Sequence, residues 1–355
     1  MPFFAVAQHS NTLFHKSELL FAGDIMQHTM QLDAARQKDG TYSYSSYYAH
    51  ISPTVKKADI AIANLETPIG ENRYGGYPSF CAPDSFLYAI RDAGFDVLLF
   101  ANNHCLDRGK KGVTHTLDLL DSLNLAHCGV YRNKEEREAR YPLIMESDGV
   151  RIALLNYTYG TNGIKAPEPI VVNYIDKEII AADIDKAKSM NVDVIIACMH
   201  WGTEYTSLPP REIVDLSTWL ISAGVNHIIG NHPHVIQPIE IRDNPETPDR
   251  HAVVYSTGNL VSNMSLRGTD GGIVVQMTLK KVLNYTRLAS LKYLLTWIAP
   301  KDKEGDRDFT ILPARSITFE KDQNTENKRL QFLNDTEKLF RQHNKGEIKE
   351  VNIKL

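Results

Sequence analysis

Five short apolar runs in this 355-residue chain each stop on side chains able to hold a cation, and that repetition leaves few folds open. The densest is Val225-Asn226-His227-Ile228-Ile229-Gly230-Asn231-His232-Pro233-His234-Val235, where a β-like run ends at Gly230 and two imidazoles follow. Pro233 fixes its own φ and biases His232 toward extended backbone, so a stiff spacer between the rings is expected. Neutral histidine is the commonest nitrogen donor to borderline metals, so this strand end can form a ligand edge. Taken alone, it reads equally well as a polar loop holding two histidines.

The other four runs repeat the pattern. Leu19-Leu20-Phe21-Ala22-Gly23-Asp24 delivers a carboxylate at its tip. Turn statistics alone allow a simple turn aspartate there, but a buried one costs free energy unless a cation or hydrogen bonds meet it. Asp59 to Pro68 is a second strand, whose alternation puts Asn64 and Glu66 on one face and Leu65 on the other. A third, 95–101, runs into Asn102-Asn103-His104-Cys105-Leu106-Asp107. Here Asn103 can give a ligand oxygen, His104 can exchange a proton, and Asp107 can set the imidazole tautomer. Residues 192–199 end at His200-Trp201-Gly202-Thr203-Glu204-Tyr205.

Helices are expected between these strands. One over 85–93 turns Phe86, Leu87 and Ile90 inward and stops at Gly94; another over 113–123 carries a core stripe. A third opens after Pro209-Pro210 and ends at Gly224. Apolar strands alternating with helices argue an α/β architecture with function at strand ends. His28 reads as a surface histidine, 42–50 as a solvated or substrate-facing Tyr/Ser loop, and 131–141 as a charged surface loop. After 265 two strands and an amphipathic helix over 328–343 are expected, without clustered donors. The chain thus divides into a tail over 1–18, a main domain over 19–265, and a structural extension or small lobe over 266–355.

A net charge of −4 gives no electrostatic case for nucleic acid. No run of eighteen apolar residues suggests a membrane span. Cys81, Cys105, Cys128 and Cys198 form no CxxC pair and are expected to be buried thiols. Ala5-Val6-Ala7-Gln8 reads like the cleavage end of a signal peptide whose start would lie upstream of Met1.

The pieces GDIM, DIAIANLETPIG, LLFANNHCLDRGKKG, MHWGTEY, IIGNHPHVIQPIE and VYSTGNLVSN, between Phe21 and Asn263, resemble the bacterial capsule-synthesis family CapA, associated with poly-γ-glutamate capsules. The order Asp, carboxylate, Asn-His, His, His-x-His is similar to that of calcineurin-like metallophosphoesterases. That resemblance implies two mixed β-sheets packed face to face with helices outside, in an α/β four-layer sandwich. It implies a divalent metal cofactor, one or two ions of Mn, Zn or Fe. Glu66 would bridge; Asn103, His200 and His232 would complete one site, while Asp24 and His234 serve the other. His104 with Asp107 would be catalytic, and Asn64, Trp201 and Glu204 would bind substrate. Two such ions about 3.5–4 Å apart could clamp an in-line displacement. One departure stands out: where phosphoesterases carry Asp-x-His, this chain has Asp24-Ile25-Met26, and methionine is a weak ligand for Mn²⁺ or Mg²⁺. The implied function is a capsule-biosynthesis hydrolase acting on a phosphoryl or amide bond, or else a non-catalytic factor binding an anionic polymer. Its implied partners are that polymer or its precursor and membrane capsule-synthesis proteins, in the cell envelope.

Overall fold

Along the strand His15–Ile25, Leu19 and Phe21 enter one apolar cluster while Leu20 and Ala22 enter another. Both faces are buried, which is why this strand and Ile60–Leu65 read as continuous apolar runs rather than alternating ones. The computed structural model describes residues 14–244, 247–300, 308–319 and 322–353, so Ala5-Val6-Ala7-Gln8 lies outside the described residues.

Among the described residues there are two large mixed sheets. In the first, His15–Ile25, Ile60–Leu65, Val97–Leu99 and Ala126–Cys128 run parallel in that order. Gly271–Val282 and Tyr285–Ile298 continue it antiparallel on the other side of His15–Ile25. In the second, Val150–Thr158, Val194–His200, His227–Asn231 and Arg250–Val254 are parallel, flanked by antiparallel Leu143–Ser147 and Ile239–Asp243. Phe21, Ile62 and Leu99 of the first sheet share one core with Leu154, Ile196 and Ile228 of the second, so the sheets pack face to face. Ala61, Ala63 and Leu98 meet helices Asp84–Ala93 and Gly109–Ser122 on the opposite face of the first sheet. The expected α/β sandwich is the one observed.

Helix boundaries follow local chemistry where signals are strong. Gly94 and Gly224 adopt φ of 104° and 118° and close Asp84–Ala93 and Arg211–Ala223, since glycine enters the left-handed region without a Cβ clash. Three expectations are corrected. Within the expected loop 131–141 lies a helix, Lys134–Arg140, with Asn133 capping the Glu136 amide at 2.7 Å. Its sequence has Ala139 as its single apolar residue, so no periodicity marked it. Tyr44, Tyr47 and Tyr48 are core residues rather than loop surface, because their rings fill the space beyond the first sheet. His28 is half-buried, its ring edge-on to Phe80 at 5.1 Å. The four cysteines are buried free thiols, as expected.

Candidate metal centre

The parallel strands of both sheets deliver their C-terminal ends to one place, where open α/β sheets hold ligands. Asp24 is the penultimate residue of His15–Ile25, Glu66 follows Ile60–Leu65, and His200 ends Val194–His200. Asn103 and His232 lie just beyond Val97–Leu99 and His227–Asn231. Two glycines allow the strand ends to approach their neighbours. A Cβ at Gly23 would lie 2.0 Å from the Gly258 carbonyl oxygen, and the Asp24 amide donates to that oxygen at 3.1 Å. A Cβ at Gly230 would lie 2.0 Å from the Tyr255 carbonyl oxygen.

All the predicted ligands converge. Asp24 and Glu66 are 0% exposed, and His200, His232 and His234 are buried beside them. His234 Nδ1 lies 3.2 Å from Asp24 Oδ2 and 3.1 Å from Asn259 Oδ1, while its Nε2 is 3.7 Å from Glu66 Oε1. His200 Nε2 lies 2.8 Å from Asn103 Oδ1 and 3.5 Å from Glu66 Oε1. Ligand atoms of Glu66, His232 and His234, and separately of Asp24, Glu66 and His200, lie within 4.8 Å of one another. Glu66 belongs to both groups. The two groups overlap and do not split the ligands into separate sites, since His234 also lies against Asp24 at 3.2 Å and His200 against Asn103 at 2.8 Å. Tertiary approach, not chain order, decides which imidazole meets which carboxylate.

The backbone at His232 corrects an expectation. It precedes Pro233 yet has a φ of 99°, and His234 has a φ of 58°. Such backbone is costly outside glycine and persists only where surroundings over-determine it. Here the His232 amide donates to Asp24 Oδ2 at 3.3 Å, and the Tyr205 amide donates to the Pro233 carbonyl at 2.8 Å.

Electrostatically the cluster lacks a positive charge of its own. Among the described residues no lysine or arginine pairs with Asp24 or Glu66, and neither Glu66 Oε1 nor His232 Nδ1 has a hydrogen-bond partner. Burial, and next the Asp24 charge, push the Glu66 carboxyl well above its usual range. Burial, with the neighbouring His234 next, lowers His232 to about 3, and burial also holds His200 well below its ordinary value. Neutral imidazole is the ligating form, and two carboxylates with three imidazoles and an amide oxygen suit Zn, Mn or Fe. The residues present fit a divalent cation, which would satisfy the orphaned atoms and neutralise the carboxylate pair.

His104 stands beside this cluster. Its Nδ1 lies 2.8 Å from Asp107 Oδ2, which also accepts the Phe80 amide at 2.7 Å, and its ring packs edge-on to Phe80 at 4.5 Å. Of the three substrate-binding expectations, two are corrected. Trp201 is 0% exposed and donates Nε1 to the Tyr255 carbonyl at 3.0 Å; it is an inter-sheet core residue. Asn64 is buried behind the ligands, donating Nδ2 to Asp24 Oδ1 at 2.7 Å with His200 Nδ1 3.3 Å away, so it positions them. Glu204 is half-buried and its charge acts on Glu66.

Four neighbours were missed. Tyr159 is half-exposed with its ring 4.5 Å from that of His232, and Tyr205 lies 6.0 Å from His234. Asn162 accepts from Asn103 Nδ2 at 3.3 Å, and Asn259 contacts His234. Asn259 was legible as another strand-end amide; Tyr159 and Asn162 follow a strand end without a donor, so no signal marked them.

Two mixed sheets with a buried carboxylate–imidazole cluster at their strand ends define an α/β protein with a candidate metal centre. The chain belongs to the bacterial capsule synthesis protein family: residues 18–264 match the family described as "Bacterial capsule synthesis protein PGA_cap". It is 27% identical over 288 residues to "Capsule biosynthesis protein CapA" of Bacillus anthracis, covering 78% of this chain and 67% of that one. It is 28% identical over 275 residues to "PGA biosynthesis protein CapA" of Bacillus subtilis (strain 168), covering 74% and 67%. Among solved structures it is similar to the calcineurin-like phosphoesterase YfkN from Bacillus subtilis, with 16% identity, a TM-score of 0.42, and coverage of 92% and 99%. The Haemophilus influenzae NAD nucleotidase NadN gives 12% identity and a TM-score of 0.49, covering 96% and 57%.

Proposed function

We propose that this chain is a metal-dependent hydrolase of capsule synthesis, working in the cell envelope on a phosphoryl or amide bond of a poly-γ-glutamate-type polymer or its precursor. The observation that carries this reading is a fully buried carboxylate pair with no lysine or arginine partner among the described residues and a Glu66 Oε1 with no hydrogen-bond partner. Asp24, Glu66, Asn103, His200, His232 and His234 would hold one or two ions. A divalent ion there supplies Lewis acidity and lowers the pKa of water. The chain's own contribution is orientation and proton transfer. Asp107 holds His104 Nδ1, which leaves Nε2 to exchange the proton, and Phe80 shields the pair. Family membership supports the polymer and the envelope setting. Among the described residues no helix is long and apolar enough to cross a membrane.

One observation favours a second reading, a non-catalytic binder of anionic polymer working beside membrane capsule-synthesis proteins. Met26 is 0% exposed and brings no nitrogen or oxygen side-chain donor two residues after Asp24. Metal analysis of protein purified without chelator, followed by a panel of phosphoester and γ-glutamyl substrates, separates the two. The hydrolase reading expects bound metal and turnover; a metal-free, inert parent would favour the binder. His104→Ala is expected to keep its metal while turnover falls by about 10²–10⁴-fold.

A further inference from the structure

A groove of about 490 Å³ lies between helix Gln323–His343 and the turn after His200, outside the candidate metal centre. Its volume is in the range of ligand-holding clefts, about 300–1,000 Å³. Tyr205 and Val235 line it. The Tyr205 ring stands 6.0 Å from that of His234, and Val235 is the next residue after that ligand. The groove therefore begins one residue from the metal cluster.

The lining has two chemical zones. Val235, Ile236 and Phe332 are buried side chains that form an apolar floor, and Leu208, 45% exposed, adds an apolar wall. The rim is cationic. Arg267 is held by Asp335 through two bonds of 2.6 Å, whereas exposed Lys338 has no ion-pair partner among the described residues. In a chain of net charge −4, an unpaired lysine beside an apolar floor complements a ligand carrying carboxylates on an aliphatic backbone. The helix that supplies Phe332 and Lys338 lies outside the residues 18–264 shared with the family.

We propose that this groove is a chain-binding subsite for an acidic peptide-like polymer, holding the segment next to the one that reaches the metal cluster. This rests on the hydrolase-on-polymer reading. Lys338 meets a carboxylate, the floor covers methylene groups, and Tyr205 marks the passage between groove and cluster.

The test is fluorescence anisotropy of a labelled γ-linked glutamate decamer with the full metal-loaded chain, the parent beside Lys338→Glu and Leu208→Asp. Both substitutions sit at exposed positions, so folding is checked by thermal melting and metal content by elemental analysis. Lys338→Glu is expected to weaken decamer binding about three- to tenfold at low salt, the scale of an exposed charge pair reversed, with the difference shrinking at high salt. Leu208→Asp is expected to weaken it similarly. Equal binding by parent and variants, no binding by the parent, or equally tight binding of a γ-linked isoglutamine decamer, in which each α-carboxylate is an amide, would overturn the subsite. Failure of the hydrolase reading shows separately, as absent metal or absent turnover in the parent.

Discussion

Two buried polar clusters lie between or beside the same sheets, and they are built on opposite terms. Around Asp183, the chain supplies every partner: Arg137 Nη2 donates at 2.6 Å, the Tyr157 hydroxyl at 2.8 Å, and Arg137 Nε donates to Asn173 Oδ1 at 2.7 Å. Around Asp24 and Glu66 it supplies amides and imidazoles but, among the described residues, no guanidinium or ammonium. A buried carboxylate is tolerable only when its charge is met. The first cluster is closed by its own arginine and is structural. The second leaves Glu66 Oε1 and His232 Nδ1 open, which is what distinguishes a site from a staple.

Removing the internal cation gives the largest expected effect. Arg137→Ala strands Asp183 in the interior and should cost about 3–5 kcal/mol of stability, read from urea unfolding of parent and variant. A loss below about 1 kcal/mol, typical of a surface pair, would break the contrast. Glu66→Gln should act the other way. Metal affinity is expected to fall by about 10–100-fold, yet the metal-free variant should be no less stable than the metal-free parent, because a charge without a partner has been removed. Melting with and without chelator checks both parts: the parent should lose more stability on chelation than the variant, and the two chelated proteins should melt with the variant no lower.

The smallest effect sharpens the comparison by adding solvent. Asp121 is partly exposed and is met by Arg140 Nη2 and Arg132 Nη2, each at 2.8 Å, and by His127 Nε2 at 3.2 Å. Burial acts upward on its carboxyl, and the hydrogen bonds from Arg140, Arg132 and His127 outweigh it, so the net shift is downward. A depressed folded value means the stabilisation is fully present above the ordinary carboxylate value near 3.9 and is lost as pH falls through the folded one. Solvent screening holds it to about 1 kcal/mol or less. Denaturation of parent and Asp121→Asn should therefore differ by that amount at pH 6 and converge progressively below pH 4.

Sequence alone determined where each donor would stand along its strand, since a strand's period and an apolar run's end are local properties. Asp24, Glu66, Asn103, His200, His232 and His234 were legible for that reason, as were the ends of Arg211–Ala223 at Pro210 and Gly224. The tertiary structure decided what those donors meet. His232 takes a φ of 99° where a hydrogen bond from its backbone amide to Asp24, 208 residues away, outweighs the local bias of Pro233. Trp201, adjacent to a ligand in sequence, faces the core because Gly230 leaves it room beside Tyr255. Lys134–Arg140 is helical without an apolar stripe because Asn133 caps it and Arg137 is drawn onto Asp183. Apart from the Asn133 cap, which is local, these outcomes turn on contacts between residues far apart in the chain, whose energy no local pattern carries.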